Sequence, residues 1–220
     1  MPVRLPRDFF AREVLTVAPA LLGCTIEHGG VRVRITETEA YAGHLHDPGS
    51  HAYRGETART APMFGPAGRT YVYFTYGMHW LLCLVTGPEG AAQAVLVRAG
   101  EVVAGDGIAA ARRPGIAPRD WCRGPARLAT TLALDGRHTG RDFCRPLIEP
   151  SGFGRGPSGS IELLVRAPEA AQDPTLVRTG PRVGVRGPGG DPTAYPWRFW
   201  VEAEPSVSAY RPGVLRRRRA

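Results

Sequence analysis

The chain of 220 residues contains no lysine: all 28 of its basic residues are arginine. Without a side-chain amine no lysine Schiff base can form, which excludes that route of covalent catalysis. Cysteine is scarce as well. Cys24, Cys83, Cys122 and Cys144 lie far apart, in none of the close spacings that hold zinc, an iron–sulfur cluster or a redox disulfide, so they read as buried free thiols. No apolar run approaches the roughly 20 residues that span a bilayer. The N-terminus, where Arg4, Arg7 and Asp8 surround a short apolar stretch, lacks the organisation of a signal peptide. A soluble, cytoplasmic protein with no membrane partner is expected.

What is present is a core-forming composition with a strong basic bias. Hydrophobic residues make up 43% of the chain and the formal net charge is +8, so a buried core and a polyanionic partner are both accessible. Gly, Pro and Ala are abundant too, and the arginine excess is equally explained by a coding bias toward these residues. Charge alone therefore leaves a nucleic-acid partner and a merely basic protein side by side.

Asp8 ahead of Phe9, Phe10, Val14 and Leu15 predicts an N-capped amphipathic helix, and Thr16 to Gly23 a second one. Cys24 to Tyr41 reads as a hairpin turning at His28-Gly29-Gly30. A Gly- and Pro-rich loop from Ala42 to Arg69 is longer than compact domains usually tolerate without a functional reason. Strands are predicted at Thr70 to Thr75 and Met78 to Val85, joined at Tyr76-Gly77, and at Ala94 to Arg98, with Arg98 at the end. Gly124-Pro125 opens a helix through Leu134. Later strands are predicted at Ile161 to Val165, Val183 to Arg186 and Trp197 to Val201, with loops near Arg155 to Ser160 and Gly187 to Pro192. Strands outnumber helices and their spacing leaves little room for crossovers, so the expected class is α+β: a single domain with a curved, mostly antiparallel sheet and peripheral helices. Residues 205–220 form a C-terminal end whose run Arg216 to Arg219 reads as a solvated, disordered basic tail.

Strict alternation places Glu37, Glu39 and Tyr41 on the same face as Val31, Val33 and Ile35, unless a bulge intervenes. A carboxylate entering an apolar face is costly unless paired, and such environments make general acids and bases. A strand end leaving the core with solvated glutamates satisfies the same pattern.

Further runs decide between these. Leu21-Leu22-Gly23, Thr38-Glu39-Ala40-Tyr41, Asp47-Pro48 with Ser50-His51-Ala52, Met63-Phe64, Tyr71-Val72-Tyr73 with Tyr76-Gly77-Met78, and Val95-Leu96-Val97-Arg98-Ala99 follow one another in order. With Cys122-Arg123-Gly124-Pro125 and Pro196-Trp197-Arg198-Phe199, they resemble the alkyladenine (3-methyladenine) DNA glycosylase family in order and spacing, over about Leu21 to Val201. The resemblance implies a catalytic domain over residues 1–204, without metal or cofactor. It would act as a monomer in a bacterial cytoplasm on double-stranded DNA containing damaged purines. It makes Glu39 the base that activates water and Arg98 a partner of Glu39 and of the water. Tyr41 and Tyr73 become the residues that sandwich the extruded base, His51 a residue lining its pocket, and Tyr76 the wedge inserted into the stack. A carboxylate suits this chemistry because it both deprotonates water and stabilises the positive sugar of an oxocarbenium-like state. One position departs from the pattern. Cys83 falls where family members carry an asparagine that clashes with the amino group of guanine, and a small, weakly bonding thiol there implies a broader purine range. A non-catalytic nucleic-acid-binding module and a metal-dependent hydrolase built on His44, His46, Asp47 and His51 are the competing readings, although the spacing of those residues matches no common zinc pattern.

Overall fold

The computed structural model describes residues 3–144 and 163–213. Its centre is an open, curved, eight-stranded antiparallel sheet flanked by five short helices, as the class predicted from sequence requires. The strands are β1 (Thr25–His28), β2 (Val31–Tyr41), β3 (Thr70–Thr75), β4 (His79–Thr86), β5 (Gln93–Ala104), β6 (Leu164–Arg166), β7 (Val177–Gly180) and β8 (Arg198–Val201). The helices are α1 (Arg7–Phe10), α2 (Val14–Ala20), α3 (Ala61–Phe64), α4 (Asp106–Arg112) and α5 (Pro125–Thr131). Along the sheet the order is β3-β4-β5-β2-β1-β6, with β8 pairing the far half of β2 and carrying β7 outside it. No helix among the described residues is long and apolar enough to cross a membrane.

Two hairpin turns show how local chemistry sets register. Gly29 and Gly30 both adopt positive φ between β1 and β2, a conformation that glycine enters without steric cost. Tyr76 and Gly77 adopt the same pair of left-handed conformations between β3 and β4, with φ of 52° and 69°. A tyrosine there is strained.

Alternation divides the sheet into two faces. Val72 of β3, Leu82 and Leu84 of β4, Val95 and Val97 of β5 and Ala40 of β2 join Val31, Val33 and Ile35 in the main core, which α2 and α5 cover. Tyr71 and Tyr73, Leu81, Cys83 and Val85, Ala94 and Leu96, and Tyr41 form a second cluster on the opposite face with Ala52 and Met63 from the 42–69 loop. That face carries the site.

The strict alternation expected along β2 is broken. Ile35 faces Gly100 while Glu37 faces Ala99, so Thr36 is an extra residue that bulges out of the β5 ladder. The bulge reverses the parity. Before it Arg32 and Arg34 lie opposite the main core; after it Glu37, Glu39 and Tyr41 do, while Thr38, whose hydroxyl donates to the Ala18 carbonyl of α2, and Ala40 face the core. Glu37 and Glu39 therefore do not share a face with Val31, Val33 and Ile35. Arg98 also differs from expectation. It lies within β5, not at a strand end, and is itself the extra residue between Val97 and Ala99.

Other expectations are corrected in detail. Asp8 sits in the first turn of α1, whose cap is Pro6; α2 begins at Val14, and α5 ends at Thr131. Val183 to Arg186 is a turn and extended segment, and the strand of that region is β7, which along with α4 had no sequence counterpart. Residues 145–162, with the loop near Arg155 to Ser160 and the start of the strand predicted at Ile161, and the basic run Arg216 to Arg219 lie outside the described residues.

Candidate active site

A cavity of about 730 Å³ opens on the second face of the sheet. Its walls come from β2 (Tyr41), β3 (Tyr71, Tyr73), β4 (Cys83), β5 (Leu96, Arg98) and the loop residue His51, closed by the segment around Val183. Size and lining suit one flat, ring-shaped ligand with room to spare. The aromatic wall is built from period-two spacing on β3: Tyr71 and Tyr73 stack with centroids 5.2 Å apart, and the His51 ring meets Tyr73 edge-on at 4.7 Å. His51 Nδ1 lies 3.1 Å from the Tyr71 hydroxyl. Desolvation and then the Arg59 charge lower the His51 pKa to about 4, so the ring is neutral at physiological pH.

Glu39 is fully buried behind the wall of this cavity, bonded to three of its lining residues, Tyr41, Arg98 and Val183. Its Oε1 accepts the Val183 backbone N–H at 2.7 Å, and its Oε2 accepts from the Tyr41 hydroxyl at 2.9 Å and from Arg98 Nη1 at 3.4 Å. Burial, and then the neighbouring Glu39 charge, push the Tyr41 phenol well above its ordinary pKa, which keeps it a donor. Burial opposes the Arg98 charge, but Glu39 and Glu37 outweigh it and leave the guanidinium more firmly protonated than usual.

Glu39 is one member of a buried charge cluster. Glu37, Glu39 and Asp47 are buried together with Arg98, Arg182 and Arg198, so three carboxylates are balanced by three guanidiniums. An unpaired ion there would cost several kcal/mol, and excellent geometry is what offsets it. Asp47 and Arg182 show that geometry: Oδ2 and Oδ1 accept from Nη1 and Nη2 at 2.6 and 2.7 Å, while Asp47 also accepts the Ala42 and Gly49 N–H groups. Arg182 lies 4.5 Å from the Tyr41 ring centroid, fixing that ring against the loop. Glu37 Oε1 accepts from Arg198 Nε at 2.6 Å and from the Ser208 hydroxyl at 3.0 Å, and its Oε2 accepts the Ser208 N–H at 2.8 Å.

The structure thus brings Arg98, Tyr41, His51, Tyr73 and Cys83 to one cavity, with Glu39 bonded behind its wall to Tyr41, Arg98 and Val183. Tyr76 stands at its rim on the β3–β4 turn with 76% of its surface exposed, beside the exposed Phe74 and Met78. Cys83 is buried and faces Tyr71 across the β3–β4 ladder. The residues His44, Asp47 and His51 are turned to separate partners: the Tyr53 carbonyl, Arg182 and the tyrosine wall.

Sequence reasoning missed Tyr71, Asp47, Arg182, Arg198 and Ser208. One signal was available, since an arginine within the apolar run Trp197-Arg198-Phe199-Trp200 predicts a buried ion pair. Ser208 gave none.

The methylpurine-DNA glycosylase family model matches residues 8–205. A protein of Streptomyces avermitilis is 49% identical over 220 residues, covering 98% of this chain and 95% of its own. One from Frankia casuarinae is 50% identical over 212 residues, covering 93% and 92%, and one from Leifsonia xyli 45% over 214, covering 93% and 92%. All three carry the provisional name 3-methyladenine DNA glycosylase. The match spans every strand of the sheet and every residue of the cavity wall named above, and on that ground the chain belongs to the methylpurine-DNA glycosylase family.

Proposed function

We propose that this DNA glycosylase extrudes a damaged purine from duplex DNA into the aromatic cavity and hydrolyses its glycosidic bond with a water activated by Glu39. The observation that carries this reading is the Glu39 carboxylate, fully buried beside a cavity with a stacked tyrosine wall, each oxygen held by a donor. Ring stacking suits a purine, and π faces favour one made cationic by alkylation. The wedge role of Tyr76 is supported by its exposure in a strained turn that a glycine or asparagine would occupy at less cost.

In the reaction the water gives a proton to the Glu39 carboxylate while its oxygen bonds to C1′ of the sugar. The C1′–N9 bond breaks and its electron pair leaves with the purine. A ring-alkylated purine becomes neutral as it departs, so it needs no proton from the protein, and the neutral His51 supplies none. The products are the free base and an abasic site. Arg98 orients Glu39 Oε2, and the negative carboxylate stabilises the positive sugar. With no lysine in the chain, no side-chain Schiff base follows to cleave the strand. The enzyme acts as a monomer in the bacterial cytoplasm.

The test is release of free methylpurine from methylated duplex DNA with a chelator present. Release is expected to be unaffected by the chelator. Binding without release would leave a nucleic-acid-binding module, and loss of release with the chelator would leave a metal-dependent hydrolase.

A further inference from the structure

Glu37 has no place in the chemistry above, yet it is fully buried and accepts as many hydrogen bonds as Glu39, three each. Neither glutamate lines the cavity itself, but Glu39 bonds Tyr41, Arg98 and Val183, which do, whereas Glu37 hydrogen-bonds Arg198 and Ser208, which do not. Resting on the glycosylase reading, we propose that Glu37 is a positioning residue that holds Arg98 in place and thereby fixes Glu39.

Arg98 is the link. Its Nε lies 3.2 Å from Glu37 Oε1 and 3.2 Å from the Ser208 hydroxyl, while its Nη1 reaches Glu39 Oε2 at the longer distance of 3.4 Å. The two shorter contacts, to Glu37 and Ser208, define where the guanidinium stands, and the longer one reaches Glu39. Two bulges create this alignment. The extra residue Thr36 on β2 turns Glu37 to the site face, and the extra residue on β5 is Arg98 itself. Neighbouring residues extend the fixture. Arg198 from β8 and the backbone of Ser208 grip Glu37, Arg198 Nη2 donates to the Ser208 carbonyl at 2.8 Å, and the Thr36 hydroxyl meets that of Ser206 at 2.9 Å. The Glu204–Ser208 segment is thereby laid along β2 like an extra rail.

The experiment is single-turnover base release from methylated duplex DNA, with the dissociation constant measured in parallel, for wild type, Glu37→Gln, Glu37→Asp and Ser208→Ala. Glu37→Gln should release base roughly 10- to 100-fold more slowly, the scale of a misplaced catalytic group. Its affinity should stay within about threefold. Glu37→Asp, which keeps the charge on a shorter stem, should recover part of the rate. If Glu37→Gln does not fold, Ser208→Ala carries the test: it keeps both glutamates but removes the hydroxyl shared by Glu37 and Arg98, and should slow release several-fold at unchanged affinity. A wild-type rate in folded Glu37→Gln, rate and affinity falling together, or a wild-type rate in Ser208→Ala when that variant carries the test would each overturn the proposal. Absence of base release by the wild type would instead overturn the glycosylase reading beneath it.

Discussion

Replacing Glu39 by glutamine removes the proton acceptor while keeping nearly every atom in place. The amide oxygen can still accept the Val183 N–H, held at 2.7 Å in the wild type. The amide NH2 then points at Tyr41 and Arg98, which donate to Glu39 Oε2 at 2.9 and 3.4 Å. Tyr41 can turn its hydroxyl and accept; Arg98 has no acceptor to offer and loses that contact. It keeps Glu37 and Ser208, so the cluster stays assembled with one uncompensated positive charge. The expected stability loss is that of a buried ion pair deprived of one partner, about 3–5 kcal/mol, or roughly 6–20 °C in Tm for a chain of this size. The rate loss is separate and is read on the folded variant. A general base contributes about 10²- to 10⁴-fold, which corresponds to about 3–5 kcal/mol of transition-state stabilisation. Affinity for lesion-containing duplex should change little, because a fully buried carboxylate meets no phosphate. The assay is single-turnover release of 7-methylguanine and 3-methyladenine from methylated duplex, alongside anisotropy binding and thermal unfolding. Wild-type-like turnover by the folded variant would refute the mechanism; equal losses of affinity and rate would reassign Glu39 to substrate binding.

Four further outcomes are expected. Tyr76→Ala should weaken binding to paired lesion duplex more than it slows excision from DNA whose target is already unpaired, because only the paired substrate needs a wedge; equal losses on both would point to a pocket or folding role. Asp47→Asn breaks a bidentate pair with both side chains fully buried, at about 3–5 kcal/mol, so Tm should fall by roughly 6–20 °C. Adding Arg182→Met to that variant should cost little more, and a fall below about 2 °C in the single variant would show that the pair is not a stabilising fixture. Cys83→Asn puts an amide into the cavity wall opposite Tyr71, which should lower methylguanine release relative to methyladenine release; an unchanged ratio would mean that position 83 does not discriminate. Finally, DNA affinity should fall steeply with rising salt, as arginine–phosphate contacts require, whereas a flat response would argue against binding through the backbone.

Much of the site was legible in the sequence because β3, β4 and β5 obey a local rule. Alternate residues on a strand share a face, so Tyr73 on β3 and Cys83 on β4, which the family resemblance put at the pocket, each share a wall with the residues two places away, Leu81 and Val85 in the case of Cys83. The glycine-rich turns and the long loop were legible for the same reason, since φ preferences and loop length are properties of the chain near at hand. Helix α4 was not: its Asp106–Arg112 stretch holds three alanines and little apolar contrast from which to read a period. The decisive feature, the bulge at Thr36, was decided by tertiary structure. A bulge exists only relative to a partner strand, and here it sits where β2 passes from pairing with β1 to pairing with β8 while β5 keeps hold of its other edge. Alternation read along β2 alone put its glutamates on the face of the apolar core. Their actual partners, Arg98, Val183, Arg198 and Ser208, come from 59 to 171 residues away along the chain. Burying a carboxylate is tolerable only where such donors converge, and that convergence depends on how the whole sheet closes around it.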